Sequence, residues 1–162
     1  MLLRTFVIAL CILGAAVFAS AQNTASLTAD EKPTYDETLA KRLGGNDNGM
    51  KNYVLVILKT GPKDASIKGT VRDKIFKGHM ANISRLGDEG KLALAGPFGD
   101  NDRTYRGLYI FNVSTVAEAL KLAETDPAIK AGIFIIEATP WFGSAALMGV
   151  GETHKRITKT TP

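Results

Sequence analysis

From Tyr53 to Leu58 every position is apolar and many are β-branched, and Gly61-Pro62 ends the run. This pattern predicts a strand buried on both faces. Past Thr70 the period lengthens: Ile75, His79 or Met80, Ile83 and Leu86 recur at helical spacing up to Gly90, which sits where a helix stop belongs. Gly78 is the one weak position in that helix. Lys91 to Phe98 reads as a short second strand running into Gly96-Pro97-Phe98-Gly99, and Asp100-Asn101-Asp102-Arg103 as a polar hairpin loop. A third strand spans Tyr105 to Val113, with bulk from Leu108, Ile110 and Phe111. Ser114 or Thr115 can cap the next helix, and Glu118 completes a capping box from Thr115. That helix carries Val116, Ala119, Leu120 and Ala123 on one stripe, and Gly132 to Ala138 supplies a fourth strand.

The order strand, helix, strand, strand, helix, strand is the split βαβ arrangement, an α+β, ferredoxin-like fold with a four-stranded antiparallel sheet and both helices on one face. The opposite face is also apolar and needs a cover, so a homodimer with the two sheets packed face to face is expected. After the last strand, Trp141 and Phe142 are too apolar to be an idle tail; they pack on the same subunit or cross to a partner.

The chain's first residues change the picture. Arg4, an uncharged apolar run from Phe6 to Phe18, and Ala19-Ser20-Ala21 together describe a secretory signal peptide over residues 1–21. The run is too short for a spanning helix, which needs ~20 apolar residues, so no stable membrane insertion is expected after cleavage. Cys11 lies inside the run behind Leu10, which disfavours a lipoprotein signal. Removing the segment takes away the only cysteine and leaves 141 residues, enough for one domain without disulfides. An exported, periplasmic or secreted protein follows. Residues 22–50 read as a polar leader, disordered or draped over the domain, in which Leu39 and Leu43 allow one short helix before Gly44-Gly45; residues 51–142 form the domain, and 143–162 an extension and tail.

The formal charge is +4 overall and falls to +3 without Arg4, with +2 of that in the tail from Lys155, Arg156 and Lys159 against Glu152. A near-neutral domain has no field for nucleic acid. Arg106-Gly107-Leu108-Tyr109-Ile110-Phe111 faintly echoes an RNA-recognition strand, but Leu108 stands where a stacking aromatic is needed. The sequons at Asn82 and Asn112 fall inside regular elements and read as chance.

One histidine in the domain and no cysteine cannot supply a zinc set, and no phosphate-cradling glycine loop calls for a cofactor. His79 is therefore the centre of attention. It shares a helix face with Phe76, Ile83 and Leu86 and looks toward the sheet. It is either a satisfied core histidine or a general acid/base, for which an imidazole titrating near ~6.5 is suited. The second role needs a carboxylate on the far nitrogen. Asp126 is preferred, although Asp126-Pro127 is also a helix-start signal in its own right; Asp88 lies half a turn out of phase. Gly96, Pro97 and Phe98 at a strand end can bring backbone beside a ligand, and Arg106 either neutralises an acidic substrate or is an exposed arginine at the strand's start.

The run Gly78-His79-Met80-Ala81-Asn82-Ile83, then Asp88-Glu89-Gly90-Lys91-Leu92 and Ala95-Gly96-Pro97-Phe98, followed by Thr125-Asp126-Pro127-Ala128 and Ala131-Gly132, resembles the YCII-related domain over about residues 50–142. The leader and the Trp141 to Leu147 segment look like those of its exported bacterial branch. The resemblance implies a dimeric α+β barrel with a histidine and aspartate paired in a cleft beside the sheet. By position these are His79 and Asp126, with Asp88 as the alternative. Some relatives are similar to enzymes that eliminate chloride from, or isomerise, small oxygenated ring compounds, while most members have no assigned reaction; the resemblance implies acid/base chemistry on a small molecule here, with a small-ligand-binding protein without turnover as the other reading.

Overall fold

β1, Met50–Thr60, occupies the middle of a four-stranded antiparallel sheet of order β2-β3-β1-β4. The computed structural model describes residues 34–159, so the expected signal peptide, its cleavage point at Ala21 and residues 22–33 of the leader lie outside the described residues. The remaining elements are α1 (Glu37–Leu43), α2 (Gly69–Asp88), β2 (Leu92–Pro97), β3 (Tyr105–Phe111), α3 (Val116–Ala123), α4 (Pro127–Lys130), β4 (Phe134–Ser144), a 3-10 turn (Ala145–Gly149) and α5 (Val150–Ile157). This is the ferredoxin-like α+β arrangement that the apolar pattern predicts.

Alternation along β1 divides the core. Val54, Val56 and Leu58 face α2, α3 and α4, where Leu86, Ala119, Ala123 and Ala128 are fully buried against Tyr109 and Phe111. On the opposite face Tyr53, Ala93 and Ile110 form a second, smaller core with Leu55, Leu94 and Leu108. The first strand is therefore not sealed evenly on both sides: Leu55 and Ile57 are half-buried on the helix-free face.

Several elements run longer than periodicity indicates. β1 pairs with β4 along its full length, from Met50 opposite Ser144 to Thr60 opposite Phe134. Trp141 is thus a strand residue, and its ring meets Tyr53 across the ladder at 5.7 Å between centroids. Polarity hid this, because Thr139, Pro140 and Gly143 interrupt the apolar pattern while the backbone keeps pairing. Beyond β4 the chain folds back, and Leu147 and Met148 pack on the Tyr53, Ala93 and Ile110 cluster. Part of the face expected to need a second copy is covered by the chain itself, and the supposed tail contains a helix, α5.

The short helix expected around Leu39 and Leu43 forms as α1, capped by Asp36 and ended at Gly44, whose φ of 74° is the left-handed conformation glycine tolerates. It is tied to the C-terminal elements by Arg42 to Glu152 at 3.0 Å, while the Ala145 amide donates to the Gly49 carbonyl at 2.8 Å. These contacts make residues 37–49 part of the folded unit. α2 ends where the glycine stop suggests: Lys91 N–H reaches back to the Leu86 carbonyl at 2.9 Å around Gly90, φ 66°. The sequon asparagine Asn82 is buried, and the Asn112 amide donates to the Gly90 carbonyl.

No helix among the described residues is long and apolar enough to cross a membrane.

Candidate active site

α2 lies across the helix side of the sheet with His79 directed at the strands, as its face-mates Phe76, Ile83 and Leu86 require. What brings it to Asp126 is the missing side chain at position 78. A Cβ at Gly78 would stand 3.0 Å from Pro127 Cγ, so the glycine allows α2 to close on the start of α4. There Asp126 performs two jobs. Its Oδ1 accepts from the Ala128 N–H at 2.8 Å, capping α4, while its Oδ2 lies 2.7 Å from His79 Nδ1. One carboxylate oxygen thus serves the start of α4 and the other contacts the imidazole. Asp88 is placed elsewhere: its carboxylate is exposed and accepts from Lys155 at 2.9 Å.

A third residue joins the pair. The Tyr109 hydroxyl, from β3, donates to Asp126 Oδ2 at 2.6 Å and lies 3.3 Å from His79 Nδ1. A carboxylate oxygen only accepts, so the short contact to Nδ1 assigns a proton to that nitrogen. Burial works to raise the Asp126 carboxyl, whose side chain is 0% exposed. Hydrogen bonds from His79 and Tyr109, the imidazole charge and the Ala128 N–H outweigh it, holding Asp126 below its ordinary value as an anion. Burial, and then the Asp126 charge and hydrogen bond, push the Tyr109 phenol strongly upward, so it stays protonated.

With Nδ1 committed, Nε2 is left without a protein partner among the described residues, and the ring lines a cleft of about 300 Å³ between α2 and the sheet. This is at the small end of ligand pockets. Its walls are mostly apolar, with Leu58, Phe76, Ile83 and Phe134 around the imidazole, and the Phe134 ring is edge-on at 5.6 Å.

Of the candidate binding residues, Gly96, Pro97 and Arg106 line the cleft. Phe98 does not; its ring packs at a tilt against Tyr105, 5.7 Å between centroids, beyond the lining. Gly107 holds β2 and β3 close here, since a Cβ on it would meet the Gly96 carbonyl oxygen at 2.9 Å.

Arg106 is half-buried rather than splayed into solvent. It lies over the Phe134 ring at 5.8 Å and bonds Asp64 Oδ2 at 3.0 Å, while Arg72 takes Asp64 Oδ1 at 2.7 Å. Two guanidinium groups on one carboxylate leave one net positive charge. The Arg72 hydrogen bond, against burial and with help from Arg106, holds Asp64 below the usual carboxylate range.

Sequence reasoning missed Tyr109, Phe134, Asp64 and Arg72. For Tyr109 a signal existed: it shares strand parity with Gly107 and Phe111 on the helix-facing side, where a phenol needs a polar partner. Asp64 and Arg72 carry no such signal, because a loop and a helix start meet only in space. Among the described residues no three His, Cys, Asp or Glu side chains cluster as a metal site.

A ferredoxin-like α+β domain with a histidine–carboxylate pair on a small cleft is the class these features define. A family model described as the YCII-related domain matches residues 53–141, and the chain belongs to that family. Among solved structures, the 5-chloro-2-hydroxyhydroquinone dehydrochlorinase from Burkholderia phenoliruptrix AC1100, in complex with 2,5-dihydroxybenzoquinone, is similar at 24% identity and a TM-score of 0.40 over 55% of this chain and 92% of the other. No curated protein matches.

Proposed function

We propose that this protein is a small-molecule acid/base enzyme, catalysing an elimination or an isomerisation, in which His79 moves the proton and Asp126 orients it. One observation supports this above the others: Asp126 Oδ2 lies 2.7 Å from His79 Nδ1, which leaves Nε2 as the free nitrogen of a ring lining the cleft. A neutral imidazole held in that way takes a proton from a carbon beside a carbonyl, which includes the keto tautomer of a phenolic compound. Returned to a different carbon, the proton gives an isomer. If the released electron pair instead expels an anion from the neighbouring carbon, the outcome is elimination, and His79 passes the proton to solvent. Arg106 fits the negative charge of an acidic or phenolic substrate, with Gly96 and Pro97 forming the wall beside it. The scheme calls for neither metal nor cofactor.

A non-catalytic ligand-binding role is the second reading, favoured by the apolar lining, which binds small molecules without chemistry. Incubation in D2O with a panel of small carboxylic and phenolic acids, followed by NMR, separates the two. The enzyme reading expects deuterium to enter a carbon position of one compound, and His79→Gln to abolish that while its binding persists. Chemical-shift changes with no exchange in any compound favour the binding module.

We further propose that the protein is exported after cleavage at Ala21, which the mass of the cell-envelope or secreted form tests, and that it forms a homodimer over the part of the helix-free face that Leu147 and Met148 leave open. Ile135 and Trp141 are exposed on that face, with Leu55 and Ile57 half-buried beside them. Sedimentation of the native protein and of Ile135→Glu tests this: the native sediments as a dimer and the variant as a monomer.

A further inference from the structure

We infer that Tyr109, which also lines the cleft, is a positioning residue that sets how readily His79 holds its proton by acting through Asp126. The inference builds on the acid/base reading of His79 and deepens it. Two donors converge on a single oxygen: the Tyr109 O–H at 2.6 Å and the His79 Nδ1–H at 2.7 Å both point at Asp126 Oδ2. The 3.3 Å between the phenol oxygen and Nδ1 is the third side of that triangle, since both groups spend their protons on the carboxylate. Asp126 Oδ1 is occupied by the Ala128 amide, so the carboxylate has little freedom to swing away from either partner.

The consequence is electrostatic. Each donor that a carboxylate accepts draws down its negative charge and leaves less to stabilise an imidazolium beside it. Tyr109 therefore competes with His79 for Oδ2, and loss of the phenol leaves more of the carboxylate's charge to hold a proton on the ring. Of the other groups around His79, the Arg72, Arg106 and Asp64 cluster carries one net positive charge that also disfavours a protonated ring, but it is not bonded to Asp126 and stays the same when Tyr109 is changed. Phe76, Met80 and Ile83 from its own helix, Leu58 from β1 and Phe134 from β4 are uncharged, and Arg106 from β3 has its guanidinium paired with Asp64. Among the described residues, Asp126 is the one acidic group bonded to the ring, and Tyr109 shares it.

The phenol itself does not relay protons. Buried beside an anion, it is pushed far from ionising, which makes it a permanent donor. Its value to the site is in the hydrogen bond it always gives.

The test is NMR of the His79 ring in ligand-free protein, with Tyr109→Phe compared against the native chain. Loss of one donor raises the ring's titration midpoint by about half to one pH unit, the fraction of a charged hydrogen bond transmitted through the shared oxygen. Tyr53→Phe is the control, since it deletes a hydroxyl bonded to the Ser144 carbonyl on the sheet's other face; it leaves the midpoint unmoved. Should Tyr109→Phe fail to fold, 3-fluorotyrosine at position 109 keeps the hydroxyl, strengthens donation and moves the midpoint downward. A midpoint unchanged or lowered in Tyr109→Phe, or moved equally by Tyr53→Phe, overturns the inference. Because the titration needs no substrate, it stands apart from the deuterium-exchange test. A shifted midpoint with no exchange in any compound defeats the catalytic reading but keeps the coupling, and exchange with an unshifted midpoint does the reverse.

Discussion

Gly78 and Pro127 stand so close that a methyl group on the glycine would lie 3.0 Å from the proline ring. That approach sets α2 against the start of α4 and delivers His79, one residue on, to Asp126, one residue before the proline. Two positions that look like local punctuation, a glycine inside a helix and a proline at the start of another, thus fix the distance on which the site depends.

Enlarging position 78 should open that contact. Gly78→Ala improves helix propensity by up to ~1 kcal/mol, but the added Cβ meets a stiff ring, and overpacking costs ~1–3 kcal/mol. The expected outcome is a variant slightly less stable than native, with a longer His79–Asp126 separation in its crystal structure. Gly78→Val magnifies both effects. A more stable Gly78→Ala with the separation unchanged would show that α4 yields freely.

Removing the shared carboxylate has a larger effect. Asp126→Ala strands the Tyr109 hydroxyl, the His79 N–H and the Ala128 amide together, and breaking a buried, paired charge costs ~3–5 kcal/mol. Asp126→Asn retains a cap for α4 and should lose less. Urea denaturation at neutral pH ranks the two, and an Asn variant no more stable than the Ala variant would show that the cap contributes nothing.

Acid should weaken the fold through the same groups. Asp126 and Asp64 are both held below their ordinary values in the folded protein. A depressed carboxyl contributes its stability fully above the unfolded value, ~3.9, and loses it as pH falls through the lower folded value. Urea midpoints should therefore hold steady from neutrality to about pH 5 and fall steeply below the unfolded value. In Asp126→Asn and Asp64→Asn, each measured separately, the acid slope should be shallower than in the native protein.

Arg106 offers a test in which binding and stability part company. Its pair with Asp64 is partly solvent-screened, and Asp64 keeps Arg72 when Arg106 is lost. Arg106→Gln is expected to change the thermal midpoint by no more than a few degrees, the effect of under ~1 kcal/mol. Affinity for any anionic compound that the native protein binds should drop about tenfold or more, as loss of a charge-assisted hydrogen bond implies. Calorimetric titration of both proteins with that compound reads the difference, and equal affinities would remove Arg106 from the binding account.

What the sequence determined by itself was local order. The β-branched run at Tyr53 to Leu58, the helical recurrence from Ile75 to Leu86, the Thr115–Glu118 capping box and the Asp126-Pro127 start each encode an element through neighbouring residues, and the box forms as the spacing implies. His79 was legible because a lone imidazole on an apolar helix face has few fates. Tertiary structure decided the rest. Polar residues concealed the length of β4, since ladder pairing with β1 depends on backbone groups rather than on hydrophobicity. The covering of the helix-free face by Leu147 and Met148 follows from a chain reversal that no periodicity announces. Tyr109 joins His79 and Asp126, and Asp64 joins Arg106, from positions 17 to 42 residues away from the side chains they meet, with Arg72 brought in through Asp64. A hydrogen bond between such residues depends on where three-dimensional packing puts their atoms, and spacing along the chain carries no measure of that.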